Sequence, residues 1–302
     1  MRSLFIVNDV IPQVVDEFDL GDPISADSLA GGGPEVVKLV TTTGSYVVKP
    51  VYRNFEMDLY ADVEVALNSH GVRQARLFRT RHGATVSASG HSVQEWLAGT
   101  ITMTPSRAQA DALFGHLAAF DRALAGIAVP PALDATDTVF TRVVQPDYLR
   151  SRLPELLQRF APAYCDPAPV ETGLSLLRDP TGGPRQLVHG DIGPDNVLYD
   201  GDAVVAIIDF TPFHQPVYFG LATAVYWFHV IGTPSLDGIR SALKAYGTTS
   251  GVPMLLLLEA LRRVATPLAV AEETGRSASP EAVRRRYAAL HWITQHLDEL
   301  GS

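Results

Sequence analysis

The sequence predicts an α+β chain in two parts: an N-terminal antiparallel sheet with one helix, then a larger, mostly helical C-terminal part. Three observations predict it. Residues 36–50, VVKLVTTTGSYVVKP, are two β-branched runs around a Thr-Gly-Ser turn, the pattern of a hairpin. From about residue 105 onward, apolar side chains recur at helical spacing. The chain has 302 residues, 46% hydrophobic and 19% charged, enough to bury a core without disulfides or metals. The first part is expected over 1–99 and the second over 100–302, the change falling at the Ala-Gly-Thr that follows Glu95-Trp96-Leu97.

Element by element, Gly31-Gly32-Gly33-Pro34 precedes the hairpin as a glycine-rich turn. Residues 56–69 place Leu59, Tyr60, Val63 and Leu67 on one helical face, with Gly71 as the stop. Residues 75–97 read as further strands, turning at His82-Gly83 and Gly90-His91. Ala108 to Leu124 is an amphipathic helix; residues 127–139 are a Pro- and Asp-rich loop; Tyr148 to Phe160 is helical. Pro162 to Pro169 breaks the chain. Short apolar runs at 187–189 and 203–209 read as strands flanking a polar loop. Residues 217–300 are helical, broken near Gly232-Thr233-Pro234, Gly251-Val252-Pro253 and 275–280. There is no internal repeat.

Composition excludes several classes. A formal charge of −9 argues against nonspecific nucleic-acid binding, which needs clustered Lys and Arg to displace counterions. The acidity lies in residues 1–210; residues 211–302 hold 8 Lys/Arg and 7 Asp/Glu. The longest apolar run, Phe219 to Ile231, contains His229 and falls short of the roughly 20 residues a membrane span needs. The opening stretch MRSLFIVNDVIPQ is interrupted by Asp9 and does not read as a secretory leader. With Cys165 the single cysteine, no intrachain disulfide forms, which fits a cytoplasmic protein. Composition says nothing of oligomeric state.

The chemistry concentrates in residues 187–210, LVHGDIGPDNVLYDGDAVVAIIDF. Asp191 and Asn196 share one loop, and Asp209 ends the following strand. Hard divalent cations take a few carboxylate or amide oxygens together with substrate phosphates. Asn196 and Asp209 have that chemistry, and Asp191 is left to orient a hydroxyl and accept its proton. Taken singly, Asp191 and Asn196 read equally as Asx-turn residues and Asp209 as a cap. His189 reads as a loop-holding hydrogen-bonding group and Asp195 as a solvated turn residue.

The string His189-Gly190-Asp191, then Asn196, then Ile208-Asp209-Phe210 resembles the aminoglycoside phosphotransferase and choline kinase family, whose members share the fold of protein kinases. The resemblance implies a two-lobed protein-kinase-like fold, with a nucleotide-binding N-terminal lobe, ATP (or GTP) as phosphate donor, and Mg²⁺. Asp191 would be catalytic, and Asn196 and Asp209 would hold the metal. It places Gly31, Gly32 and Gly33 over the phosphates and Lys49, at the end of SYVVK, on them, with Lys38 as competitor. Glu64 would pair with that lysine, Asp62 and Glu56 being alternatives. Glu95, Trp96 and Leu97 would form the hinge along the adenine edge. The chain departs from the pattern at Thr211, where protein kinases have Gly. It also carries Asp121 where relatives often carry His.

The acceptor is less legible. A site for a polycationic antibiotic calls for carboxylates, whereas the C-terminal helices carry Arg262-Arg263 and Arg284-Arg285-Arg286. These read most simply as solvated helix faces. Asp237, Glu259, Glu272 and Glu273 are acidic candidates, and His214, Trp227 and His229 are pocket candidates. The leading expectation is phosphoryl transfer to a hydroxyl of a small molecule such as an antibiotic, sugar or amino alcohol. One alternative is Ser/Thr phosphorylation of a peptide in natural-product maturation, with basic helices receiving an acidic leader. The other is a non-catalytic nucleotide-binding scaffold or pseudokinase.

Overall fold

Strand β2 (Val37–Thr41) and strand β3 (Ser45–Pro50) pair antiparallel, Val37 opposite Val48 and Val40 opposite Ser45, so the β-branched runs do form the hairpin. The structure, a computed structural model, describes residues 2–29, 36–161, 166–178, 184–248 and 251–301. The chain divides into two compact units, the first made of residues up to 102 together with 197–200 and 205–208.

In the first unit, β1 (Pro23–Ser28) and β4 (His91–Glu95) complete a four-stranded antiparallel sheet in the order β1-β2-β3-β4. Alternation sorts its faces: Val37, Leu39, Tyr46 and Val48 enter the core with Val93. Helix α1 (Arg2–Phe18) supplies Ile11, Val14 and Phe18 to that core. The sequence reading missed α1, because Pro12 inside it looks like a breaker. Helix α2 (Asn54–Ser69) buries Leu59, Tyr60, Val63 and Leu67, the face its periodicity predicts. It ends where Gly71 takes a φ of 72°. Residues 75–90 are not the strands expected of them; they make one isolated bridge, Leu77 to Gln94. Glycine and exposed polar residues leave too few apolar pairs there to hold a ladder.

A second small sheet joins β5 (Thr100–Ile101), β7 (Val197–Asp200) and β8 (Ala203–Ile207) in the order β5-β7-β8. Leu198 and Ala206 pack with Ala75 and Leu97.

The second unit is mostly helical. Helix α3 (Arg107–Leu124) starts at a capping box in which Ser106 and Gln109 satisfy each other's backbone N–H. The expected loop 127–139 contains the single-turn helix α4 (Pro131–Asp134), and α5 (Val139–Arg142) follows. Then come α6 (Pro146–Phe160), α7 (Ala168–Leu176), strand β6 (Arg185–His189) and strand β9 (Pro212–Pro216). Strands β6 and β9 pair antiparallel, His189 opposite Pro212. Helix α8 (Phe219–Val225) runs into a π-helical turn, Tyr226–Val230. Helices α9 (Leu236–Tyr246), α10 (Val252–Thr274) and α11 (Pro280–Leu300) follow, broken at the glycine and proline sites the sequence marks. The long α10 is the centre of this unit, packing on α6, α7, α8 and α11. Among the described residues, no helix is long and apolar enough to cross a membrane.

Candidate active site

The loop carrying Asp191 is fixed before its chemistry begins. Gly190 donates its N–H to the Thr211 carbonyl at 2.8 Å, and its own carbonyl receives Arg262 Nη2 at 3.0 Å. Only glycine fits at 190, since a Cβ would lie 1.9 Å from the Phe213 ring. His189 is fully buried, and its Nδ1 accepts the Asp191 N–H at 3.1 Å. Nδ1 is therefore unprotonated and the imidazole holds the loop. Its ring meets Phe210 edge-on at 5.3 Å, and Phe210 packs against Phe120 at 6.1 Å. Asn196 closes the loop by donating Nδ2 to the Asp191 carbonyl at 2.8 Å. That bond uses the amide nitrogen and not the Asn196 side-chain oxygen, whose lone pairs could serve a cation. In short, one short loop brings Asp191 and Asn196 together.

The Asp191 carboxylate sits in an ionic network that α10 supplies. Arg263 Nη2 donates to Asp191 Oδ1 at 2.7 Å while its Nε donates to Glu259 Oε1 at 2.6 Å. Arg262 takes Glu259 by a fork, Nε to Oε2 at 2.6 Å and Nη2 to Oε1 at 2.8 Å. The side chains of Glu259 and Arg262 are 0% and 3% exposed, that of Arg263 11%. Arg262-Arg263 is thus no solvated face, which corrects the sequence reading. The two guanidiniums face inward and are consumed by the loop, so they offer nothing to an acidic leader peptide. Glu259, one carboxylate among several in the sequence, is their anchor; the i, i+3, i+4 spacing of 259, 262 and 263 was the available signal.

Burial alone pushes the Asp191 carboxyl up, but the charge and hydrogen bond of Arg263, with Arg262 and His189 behind, hold it below the usual carboxylate range. Glu259 is depressed the same way, its desolvation outweighed by the two arginines. Asp209 follows β8 with a φ of 54°, one of two non-glycine residues with positive φ among the described residues, and it is exposed. A left-handed aspartate is costly backbone that tends to be kept where the side chain must be aimed.

On the first unit, Lys49 lies opposite Ser92 across β3 and β4, on the half-buried face away from the core. Its competitor Lys38 shares that face, and its ammonium sits 4.1 Å over the Trp96 ring. Glu64 is engaged elsewhere than the sequence suggests: Oε2 accepts the Leu77 N–H at 2.7 Å, and among the described residues it makes no ion pair. Of the alternatives, Glu56 pairs with Arg53 at 3.1 Å and Asp62 is exposed. At the hinge segment, the N–H groups of Glu95 and Trp96 are spent on the carbonyls of Arg76 and Ser45. Glu95 pairs with Arg73 at 2.6 Å, and Leu97 is buried. Gly31, Gly32 and Gly33 lie outside the described residues.

The model of the phosphotransferase enzyme family matches residues 29–251. A homoserine kinase from Phenylobacterium zucineum is 24% identical over 212 residues. The match takes in 68% of this chain, which spans 64% of that relative's length. Among solved structures, choline kinase from Streptococcus pneumoniae superposes with a TM-score of 0.65 at 14% identity, covering 96% of this chain and 99% of that one. A spectinomycin phosphotransferase in complex with ADP and spectinomycin gives 0.65 at 15%, covering 97% and 98%. These likenesses share the fold, and with nearly three quarters of its length matched by the family model, the chain belongs to the phosphotransferase enzyme family.

Proposed function

We propose that the chain is an ATP- and Mg²⁺-dependent O-phosphotransferase acting on a hydroxyl of a small molecule. The observation that carries this reading is the Asp191 carboxylate, held by Arg263 at 2.7 Å in a loop that also presents Asn196. The names of the relatives support a hydroxyl acceptor: homoserine, choline and spectinomycin all bear one.

In the transfer, an acceptor oxygen attacks Pγ in line, the new O–P bond forms, and the bond from Pγ to the β-bridging oxygen breaks to release ADP. The hydroxyl proton passes to Asp191. Because Asp191 stays ionised, it hydrogen-bonds the acceptor O–H and fixes its direction before transfer. A weak base suffices, since a loose transition state needs the proton only after the O–P bond has begun to form. Lys49 would hold the α- and β-phosphates, and Gly31 to Gly33 would lie over them. The Glu95–Leu97 segment would take the adenine edge. Glu64 would act indirectly, by fixing the backbone at Leu77.

The Asn196 side-chain oxygen and the Asp209 carboxylate fit a hard divalent cation, which expects two protein oxygens with phosphates completing its shell. Among the described residues there is no cluster of three or more His, Cys, Asp or Glu that would hold a metal by itself. When bound, Mg²⁺ supplies charge neutralisation on the β- and γ-phosphates.

Mass spectrometry of a panel of hydroxyl acceptors, with Mg²⁺ and ATP or GTP, tests the reading. The expected result is one added phosphate on one acceptor class, lost in Asp191→Ala, with nucleotide still bound. Nucleotide binding that ignores Mg²⁺ and survives loss of Lys49 and Asp209 would sink it.

A further inference from the structure

Arg263 ties Asp191 to helix α10, and its two hydrogen bonds do not fix it by themselves. Its Nε donates to Glu259 Oε1 at 2.6 Å and its Nη2 to Asp191 Oδ1 at 2.7 Å. Two in-plane contacts define a line, and a planar guanidinium can still swing about that line. Hydrogen bonds weaken steeply as they leave alignment. A swing therefore slackens the grip on Asp191, and what stops it has to touch the flat face of the guanidinium.

Trp227 does so. Its ring centroid lies 4.8 Å from Arg263 Cζ, within the range at which an aromatic face attracts a cation. The same indole reaches the catalytic loop, since a Cβ at Gly193 would lie 3.8 Å from Trp227 Cδ1. One ring thus spans from the loop that carries Asp191 to the cation that holds it. The ring is braced in turn by the fully buried Tyr226, which meets it edge-on at 5.7 Å. Its backbone is set by the π-helical turn: the Ile231 N–H reaches the Tyr226 carbonyl at 2.9 Å, five residues back. Such a turn holds one residue more than an α-turn and recurs at functional sites.

The residue type also fits. A carboxylate or amide at 227 would accept an Arg263 N–H and compete with Glu259 and Asp191 for it. An indole face attracts the cation and leaves both in-plane donors to the carboxylates. Trp227 Nε1 is buried without a hydrogen-bond partner among the described residues, so no hydrogen bond of the indole accounts for where the ring lies.

We infer that Trp227 is a positioning residue for Asp191, acting through Arg263. This role rests on the catalytic reading of Asp191 above and deepens it. The indole keeps the guanidinium plane aligned, the guanidinium keeps the carboxylate aimed, and the carboxylate orients the acceptor hydroxyl.

Two variants separate the face of the ring from its bulk. Trp227→Met fills space without an aromatic face, and Trp227→Phe keeps a smaller one. Both are studied by crystallography and by steady-state kinetics with MgATP and each acceptor the panel above shows to be phosphorylated. In Trp227→Met, Arg263 should leave Asp191, and kcat should fall about tenfold, the factor a partly buried cation–π contact is worth. KM for MgATP should stay within about twofold. Trp227→Phe should lose only about threefold in kcat. In an Arg263→Met background neither change should cost anything further, because the guanidinium through which the ring acts is gone. An unchanged kcat in Trp227→Met, an equal loss in the Arg263→Met background, or an Arg263–Asp191 bond kept in the Trp227→Met crystal overturns the inference. If Trp227→Met shows no cooperative thermal transition, Trp227→Phe in the two backgrounds decides. If the wild type phosphorylates nothing, or Asp191→Ala transfers as well as the wild type, the phosphotransferase reading falls instead. The hold of Trp227 on Arg263 is then decided by the crystal structures alone.

Discussion

At Asp191 the decisive neighbour is a cation 72 residues away in sequence. Arg263→Met should remove the main cation holding Asp191 ionised, and burial then pushes its pKa up. The acid limb of kcat/KM against pH should move to higher pH, and kcat should fall about 100-fold as the carboxylate loses its direction. Arg263→Lys, keeping charge without the fork, should fall between; a pH–rate profile of the three proteins checks this. Gly190→Ala should fail to assemble the loop altogether, because the Phe213 ring occupies the space of the new methyl; the readout is loss of the cooperative thermal transition. Spacing singles out Asp191, Asn196 and Asp209 as candidates, whereas it gives no sign of Arg263 and Glu259. The loop motif is local, but the network that tunes it joins segments far apart in sequence, and an arginine on a helix gives no sign of which way it faces.

Helix α3 carries a buried titratable group of its own. Asp121 is 2% exposed, accepts the Tyr246 hydroxyl at 2.8 Å and leaves Oδ1 unpartnered. Burial pushes its pKa up to about 7, against the pull of Tyr246. Between roughly pH 4, where the unfolded carboxyl ionises, and pH 7, the folded state holds a proton that the unfolded state has lost. Stability from this group is therefore full below pH 4 and declines as pH rises to about 7. Asp121→Asn should flatten that decline, seen as a smaller drop in Tm over the interval. On α10, Arg262→Met leaves the fully buried Glu259 with one partner and frees the Gly190 carbonyl; a loss of about 3 kcal/mol is expected in denaturant melts. Elements with clean periodicity, such as α2 and α3, were readable. Helix α1 was hidden by Pro12, and β7 by lying inside what reads as a polar loop.

For the whole molecule, the first unit is not continuous in sequence. It takes β7 and most of β8 from beyond residue 196, and Leu198 and Ala206 pack on Ala75 and Leu97. A fragment ending at residue 102 lacks those partners and should show no cooperative unfolding by circular dichroism, while adding 197–208 through a linker should restore part of it. The change from strand to helix was plain in the sequence; the return of the chain was not, because contact between distant segments leaves no periodicity. One further consequence concerns charge. Asp191, Glu259, Arg262 and Arg263 form a quartet whose formal charges sum to zero. If Asp191 takes the proton of a bound hydroxyl, as proposed, the quartet becomes a cation, and the group that gains the proton is its most exposed member, the Asp191 side chain being 45% exposed. The two guanidiniums then disfavour the added proton, so the carboxylate would return it toward solvent before another transfer, and the proposed site would be a proton outlet rather than a store.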